Sequence, residues 1–154
     1  MPAPFRFDRR WTFPVGPDEL WSTLGRTRDY PSWWSWLRQF DTDGVAAGLQ
    51  AGTRARCVIR APLPYVLHLT IEVDRVVEEQ LVETRIQGDL EGPARLELAP
   101  AAGGTTARLA WSLQLRDPVL RRFAVVARPA MAWAHDRIVE VGVRQFVHRA
   151  LPEA

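Results

Sequence analysis

The sequence predicts an α+β fold: about seven antiparallel strands in one curved sheet, two short helices after the first strand, and a long C-terminal helix over the concave face. Two observations carry this reading. From Phe5 to Phe13, and again from Arg54 to Leu115, apolar and polar residues alternate with a period of two, punctuated by Gly, Pro and Asp. After Asp117-Pro118 the period becomes helical, and a broad apolar stripe continues towards Arg149. The 154 residues, 47% hydrophobic and 25% charged, fit one globular domain spanning residues 1–154 rather than a solvated disordered chain.

In PFRFDRRWTF, Phe5, Phe7, Arg9, Trp11 and Phe13 take one side and Arg6, Asp8, Arg10 and Thr12 the other, the pattern of a half-buried strand. Pro14 and Gly16 interrupt it. Pro17 suits the first turn of a helix, where its missing N–H is harmless, and Leu20, Trp21 and Leu24 share an apolar face across DELWSTLGR. In the aromatic run RDYPSWWSWLR, a second short helix is expected around Ser32 to Leu37, followed by a strand near Arg38 to Thr42. Tyr30, Trp33, Trp34 and Trp36 either plug one end of the fold or, for one or two of them, line a pocket.

Gly44, Gly48 and Gly52 mark a small-residue loop that lacks a phosphate-binding motif. TRARCVIRA then alternates Ala55, Cys57, Ile59 and Ala61 against Arg54, Arg56, Val58 and Arg60. After PLP, the segment YVLHLTIEVDRVV places Leu67, Leu69, Ile71, Val73 and Val77 on one face. Val82, Thr84 and Ile86 form the next inner face, then Leu96 and Leu98, then Leu109, Trp111, Leu113 and Leu115. Gly103-Gly104 predicts the hairpin turn between the last two strands. Residues 119–127 read as a helix or a turn, and Pro129 either starts or kinks a longer helix reaching Arg149, roughly 31 Å long. Met131, Ala134, His135, Ile138, Val141, Gly142 and Phe146 mark its inner stripe, with Arg137, Glu140 and Arg144 opposite.

With PDELW opening the first helix, DYPSWWSW following it and AWAHDRIVEVGVRQF in the terminal helix, the chain resembles the SRPBCC or START-like helix-grip superfamily over nearly its whole length. The nearest branch is that of the bacterial polyketide cyclase/dehydrase-like proteins. The resemblance implies a curved sheet wrapped around the terminal helix, with a pocket between them for a hydrophobic or amphipathic small molecule. Its cavity wall maps onto Tyr30 and Trp34, onto Leu69, Ile71, Thr84 and Trp111 of the strands, and onto Met131, His135 and Val139 of the helix. Binding, sequestration or transfer of such a ligand, a lipid among the candidates, is the function it implies, with no cofactor. The same resemblance also admits a polyketide cyclase/dehydratase-like enzyme, in which His135 exchanges a proton while Tyr30 or Thr84 orients an oxygen. It admits, third, a protein-interaction or chaperone-cofactor module, marked by exposed aromatic residues from 30 to 36.

Little else in the sequence carries chemistry. His68, His135 and His148 fit no single ligand set, so no metal is expected. His135 and Asp136 are adjacent on a helix and point about 100° apart, so adjacency alone does not make them a dyad; Asp136 is expected on the flank, near an Arg or the sheet end. Cys57 has no local base to activate it and reads as a small hydrophobe. As the single cysteine it excludes an intrachain disulfide. All 20 basic residues are Arg, yet 18 acids leave a net charge of only +2, so nucleic acid is not an expected partner. Seven Arg between Arg116 and Arg149 face only Asp117, Asp136 and Glu140, a basic strip that can attract an acidic ligand or an anionic membrane but is expected to be a solvated face. No apolar run approaches the roughly 20 residues of a membrane span, and no secretory signal pattern opens the chain, so a cytoplasmic protein without integral membrane association is expected. Its oligomeric state is not legible.

Overall fold

A computed structural model describes residues 5–42, 49–60 and 66–151. Strand β1 (Phe5–Phe13) is followed by helix α1 (Pro17–Leu24), a 3₁₀ turn (Thr27–Asp29) and helix α2 (Tyr30–Trp33). Six more strands follow: β2 (Leu37–Thr42), β3 (Arg54–Arg60), β4 (Val66–Val77), β5 (Leu81–Gly88), β6 (Leu90–Ala101) and β7 (Gly104–Leu115). Helix α3 (Pro118–Arg149) closes the chain. All seven strands form one antiparallel sheet in the order β1-β7-β6-β5-β4-β3-β2, the helix-grip architecture expected.

Local chemistry explains where the elements begin and end. Pro17 and Pro31 occupy the first turns of α1 and α2, where no backbone donor is lost. The second helix therefore begins at Tyr30 rather than Ser32, and the strand after it already starts at Leu37. Asp117 caps α3, its carboxylate accepting from the Val119 and Leu120 amides at 2.8 and 3.3 Å. Residues 119–127 are helical rather than a turn, and Pro129 kinks the helix instead of starting it: Ala127 departs to φ −117°, ψ 27° because Pro129 has no N–H for the preceding turn. Gly44, Gly48 and Ala61 lie outside the described residues, as does the PLP segment.

Register corrects one inner-face assignment. A bulge between Val73 and Arg75 advances β4 by one residue, so Val76, opposite Val82, takes the place expected of Val77. Val77 instead faces Leu81.

The core divides into two clusters. One gathers Leu37, Leu67, Leu69, Ile86, Leu113 and Leu115 beneath Leu120, Ala124 and Met131 of α3. The other packs Phe13, Leu20, Trp33, Leu98 and Ala107 around Phe146, Ala150 and Leu151. On the outside of the sheet Arg108 forks onto Asp8, with Nε–Oδ1 at 2.8 Å and Nη2–Oδ2 at 2.5 Å, and this ion pair holds the Asp8 carboxyl below its ordinary range.

The β6–β7 turn approaches the end of β1 closely. Gly104 has φ +154°, and a Cβ there would lie 1.8 Å from the Phe13 carbonyl oxygen. The next residue, fully buried Thr105, donates its hydroxyl to Val15 O at 2.6 Å. Gly104→Ala is expected to cost at least about 2 kcal/mol in urea unfolding, since both the dihedral and the contact resist a side chain. Gly103→Ala, at φ +82° with open space around it, should cost only about 1 kcal/mol. Equal losses in the two variants would show that the contact with β1 carries no weight.

Candidate functional site

Between α3 and the sheet lies a cavity of about 430 Å³, lined by residues of both core clusters. Its size falls within the range of small-molecule sites. Of the residues singled out from the sequence, Tyr30 and Trp34 line it at the aromatic end, Leu69, Ile71 and Trp111 on the sheet, and Met131, His135 and Val139 on α3. Thr84 does not. It sits opposite Val73 and Ala94 and donates its hydroxyl to Ala94 O at 3.1 Å, so sheet pairing consumes the group expected to meet a ligand.

The aromatic segment turns inward because α3 offers it backbone and side-chain partners. Trp34 donates Nε1–H to Gly142 O at 2.8 Å, and the ring of Trp36 stacks on Trp34 with centroids 5.4 Å apart. Gly142 permits this approach: a Cβ there would lie 3.3–3.6 Å from three atoms of the Trp36 indole. Gln145 exchanges hydrogen bonds with Ser35, and Arg149 donates to Trp33 O at 3.0 Å. Tyr30 packs on Trp34 and Phe40 at 4.9 and 5.1 Å and donates its hydroxyl to Leu24 O at 2.5 Å; burial raises its pKa above the ordinary phenol value. The segment therefore both plugs the end of the fold and lines the cavity.

At the other end Trp111 stacks on Phe7 at 4.5 Å and meets His135 edge-on at 5.1 Å. Its Nε1–H donates to His135 Nε2 at 2.8 Å. An indole can only donate, so Nε2 accepts and the imidazole proton resides on Nδ1, which faces Asp136 Oδ1 at 3.3 Å. His135 and Asp136 thus do touch, despite the angle between adjacent helical positions, because the imidazole reaches back along the helix flank. Asp136 also stands 3.8 Å from Arg9 of β1; the sequence called for an arginine or the sheet end there without naming which. Burial lowers the His135 pKa below its ordinary 6.5; the Asp136 carboxylate raises it, and Arg9 adds to the lowering.

Both ring nitrogens of His135 are therefore occupied by protein groups, and the ring is held neutral. Cys57 is equally quiet: it is buried, absent from the cavity wall, and its thiol pKa is pushed up to about 12, first by burial and then by Asp41. His68 and His148 are exposed. Among the described residues no group of three or more His, Cys, Asp or Glu side chains converges as metal ligands would.

Among the described residues that line the cavity, Trp36 carries one buried polar atom, Nε1, without a hydrogen-bond partner. The sequence left Trp36 open between end plug and pocket wall, and nothing in its spacing showed that Trp34 and not Trp36 would bond the helix carbonyl. Phe5, Trp11, Leu24 and Ile59 also line the cavity. They lay on faces recognised as apolar, but face alone does not separate a packed side chain from one bordering empty space.

A curved seven-stranded sheet gripping a long helix over an apolar cavity defines the class. The chain belongs to the family described as polyketide cyclase/dehydrase and lipid transport, whose model matches residues 4–150. Among solved structures it is similar to TTHA0849 from Thermus thermophilus, with TM-score 0.72 and 16% identity over 96% of each chain. It is similar to a START superfamily protein from Mycobacterium smegmatis, with TM-score 0.71 and 12% identity over 94% of this chain and 96% of that one. It also resembles the di-domain ARO/CYC BexL from the BE-7585A biosynthetic pathway, with TM-score 0.73 and 13% identity, covering 99% of this chain and 52% of that one. At these identities the likeness is one of fold. No curated protein matches the sequence.

The neutral His135 yields a pH prediction. Its folded-state pKa lies below the unfolded value of about 6.5, so at acid pH the unfolded chain takes up the proton more readily. The His135 contribution is complete above that value and is lost as pH falls from it towards the lowered folded pKa. Urea unfolding between pH 7.5 and 5 should show stability falling more steeply in the parent protein than in His135→Gln, whose amide oxygen can still accept from Trp111. Parallel pH profiles would mean that the ring is not held neutral.

Proposed function

We propose that the protein binds a small, largely hydrophobic molecule carrying one hydrogen-bond acceptor, for sequestration or transfer, without transforming it. The observation that carries this reading is the cavity: apolar on nearly every side, with the hydroxyl of Tyr30, the indole N–H groups of Trp34 and Trp111 and both nitrogens of His135 already paired within the protein. Such walls reward an apolar ligand at roughly 25 cal/mol per Å² removed from water. Orientation would come from Trp36, whose buried N–H gains a partner when a carbonyl, ether or hydroxyl oxygen reaches it. Lipids with a single polar group and aromatic polyketide-like metabolites both satisfy these terms.

The cyclase or dehydratase alternative rests on His135 as the proton-exchanging group, and the occupied imidazole argues against it. The protein-interaction alternative rests on an outward aromatic segment, whereas Trp33 is buried and Tyr30, Trp34 and Trp36 line the cavity. Cytoplasmic residence, and a single domain over residues 1–154, remain part of the proposal; no helix among the described residues is long and apolar enough to cross a membrane.

The test is saturable uptake of the neutral fluorophore N-phenyl-1-naphthylamine, together with mass analysis of small molecules that copurify with the native protein. Ile138→Trp, which directs an indole into the cavity from α3, should weaken fluorophore binding at least about tenfold while the thermal midpoint changes little. Absence of saturable uptake by the parent protein, or unchanged uptake by Ile138→Trp, would remove the cavity from consideration.

A second prediction concerns Trp36. The parent protein should prefer 2-acetylnaphthalene over 2-ethylnaphthalene, and Trp36→Phe should reduce that preference by about fivefold or more, as expected for one hydrogen bond made in a dry site. An unchanged preference would leave the ligand's orientation to shape alone.

A further inference from the structure

The kinked first half of α3 exposes an apolar stripe that packing does not explain. Val119, Phe123, Val126, Ala130 and Trp133 follow one another at steps of four, three, four and three residues, so they share one side of the helix, and all five are exposed. Val119 keeps 75% of its surface exposed, Val126 87% and Trp133 56%. The stripe crosses the kink at Ala127 without turning inward. Leu120, Ala124 and Met131 point the other way and fill the core.

Charge along the same segment is one-sided. Between Pro118 and His135 there are three arginines, Arg121, Arg122 and Arg128, and no acid; Asp117 before them is engaged as the helix cap, and Asp136 lies beyond. Arg122, on the flank of the stripe, can lay its long aliphatic stem along an apolar boundary while its guanidinium group stays hydrated, and Arg121, farther round the helix, adds to the same positive field. Arg128 stands over the Phe5 ring at 4.5 Å.

We infer that this face of α3 docks on the surface of an anionic lipid bilayer. The partner must carry negative charge to complement the arginines, which argues against a second copy of the chain: an isologous contact would bring the same cations towards each other. Area separates a membrane from a specific acidic protein. A stripe about 21 Å long and about 10 Å wide offers on the order of 200 Å², well short of the roughly 800 Å² per partner of a stable protein interface. A bilayer sets no such threshold, and a helix with Phe, Val and Trp on one side, Arg122 on its flank and no acid in the segment is the composition that settles at a lipid–water boundary. The docking is reversible and superficial, and it does not depend on whether the cavity holds a ligand.

The experiment is cosedimentation of the 154-residue chain with vesicles of phosphatidylcholine alone and of equal parts phosphatidylcholine and phosphatidylglycerol. Partitioning should be at least about tenfold greater onto the anionic vesicles and should weaken with added salt. Val126→Glu and the double variant Arg121→Gln/Arg122→Gln both alter exposed positions, so both should keep the parent thermal midpoint while losing about tenfold in binding. The fluorescence blue shift on vesicle addition should shrink in Trp133→Phe. Equal partitioning onto both vesicle types, or undiminished binding by both altered proteins, would overturn the inference. So would a stable dimer that Val126→Glu dissociates and that ignores vesicles, since the stripe would then belong to a second copy.

Discussion

Two indole hydrogen bonds set the position of α3, and the rest of the interior follows from them. Trp111, rising from β7, donates to His135; Trp34, at the end of α2, donates to the Gly142 carbonyl. The two acceptors are seven residues apart, two helical turns or about 10.5 Å along the axis. An indole is a rigid spacer, so each bond both attaches the helix and holds it away from the sheet. Ile138 and Val139 lie between the two anchors and face the cavity.

That suspension explains why the core splits in two instead of closing. Leucines and Met131 fill one end, Phe13, Trp33 and Phe146 fill the other, and the span between the anchors stays open. The same bonds, with that of Tyr30, pair polar groups of the cavity wall within the protein. Trp111 takes the lone pair that would make His135 a base, Gly142 takes the Trp34 donor, and Leu24 takes the Tyr30 proton. Trp36 is the residue left over: its indole lies against Gly142, but only Trp34 donates to the Gly142 carbonyl. An unpaired buried donor costs about 1–3 kcal/mol unless a ligand satisfies it.

The kink near Ala127 separates two kinds of helix. Beyond it, α3 is tied down by Gln145 to Ser35 and by Arg149 to Trp33 O, and its inner residues border the cavity. Before it, Leu120 and Ala124 anchor the helix while valines and Phe123 remain outside. Pro129 breaks the backbone ladder between the two segments.

The sequence by itself determined the strands, their inward faces, the terminal helix and the family, because burial on one side of a sheet or helix imprints a period of two or 3.6 that needs no knowledge of partners. Phe5 to Phe13, the Gly103-Gly104 turn and the Met131 to Phe146 stripe were legible in that way. Properties that depend on what lies across a gap were decided only by the tertiary structure. Val76 replaced Val77 because a bulge shifted the register, and Thr84 spent its hydroxyl on β6. His135 became a neutral acceptor because Trp111 stands opposite it, and it was Trp34, not Trp36, whose indole met the Gly142 carbonyl. Periodicity says which way a side chain points; whether its polar atom finds a partner depends on residues distant in the chain, brought within about 3 Å only by folding.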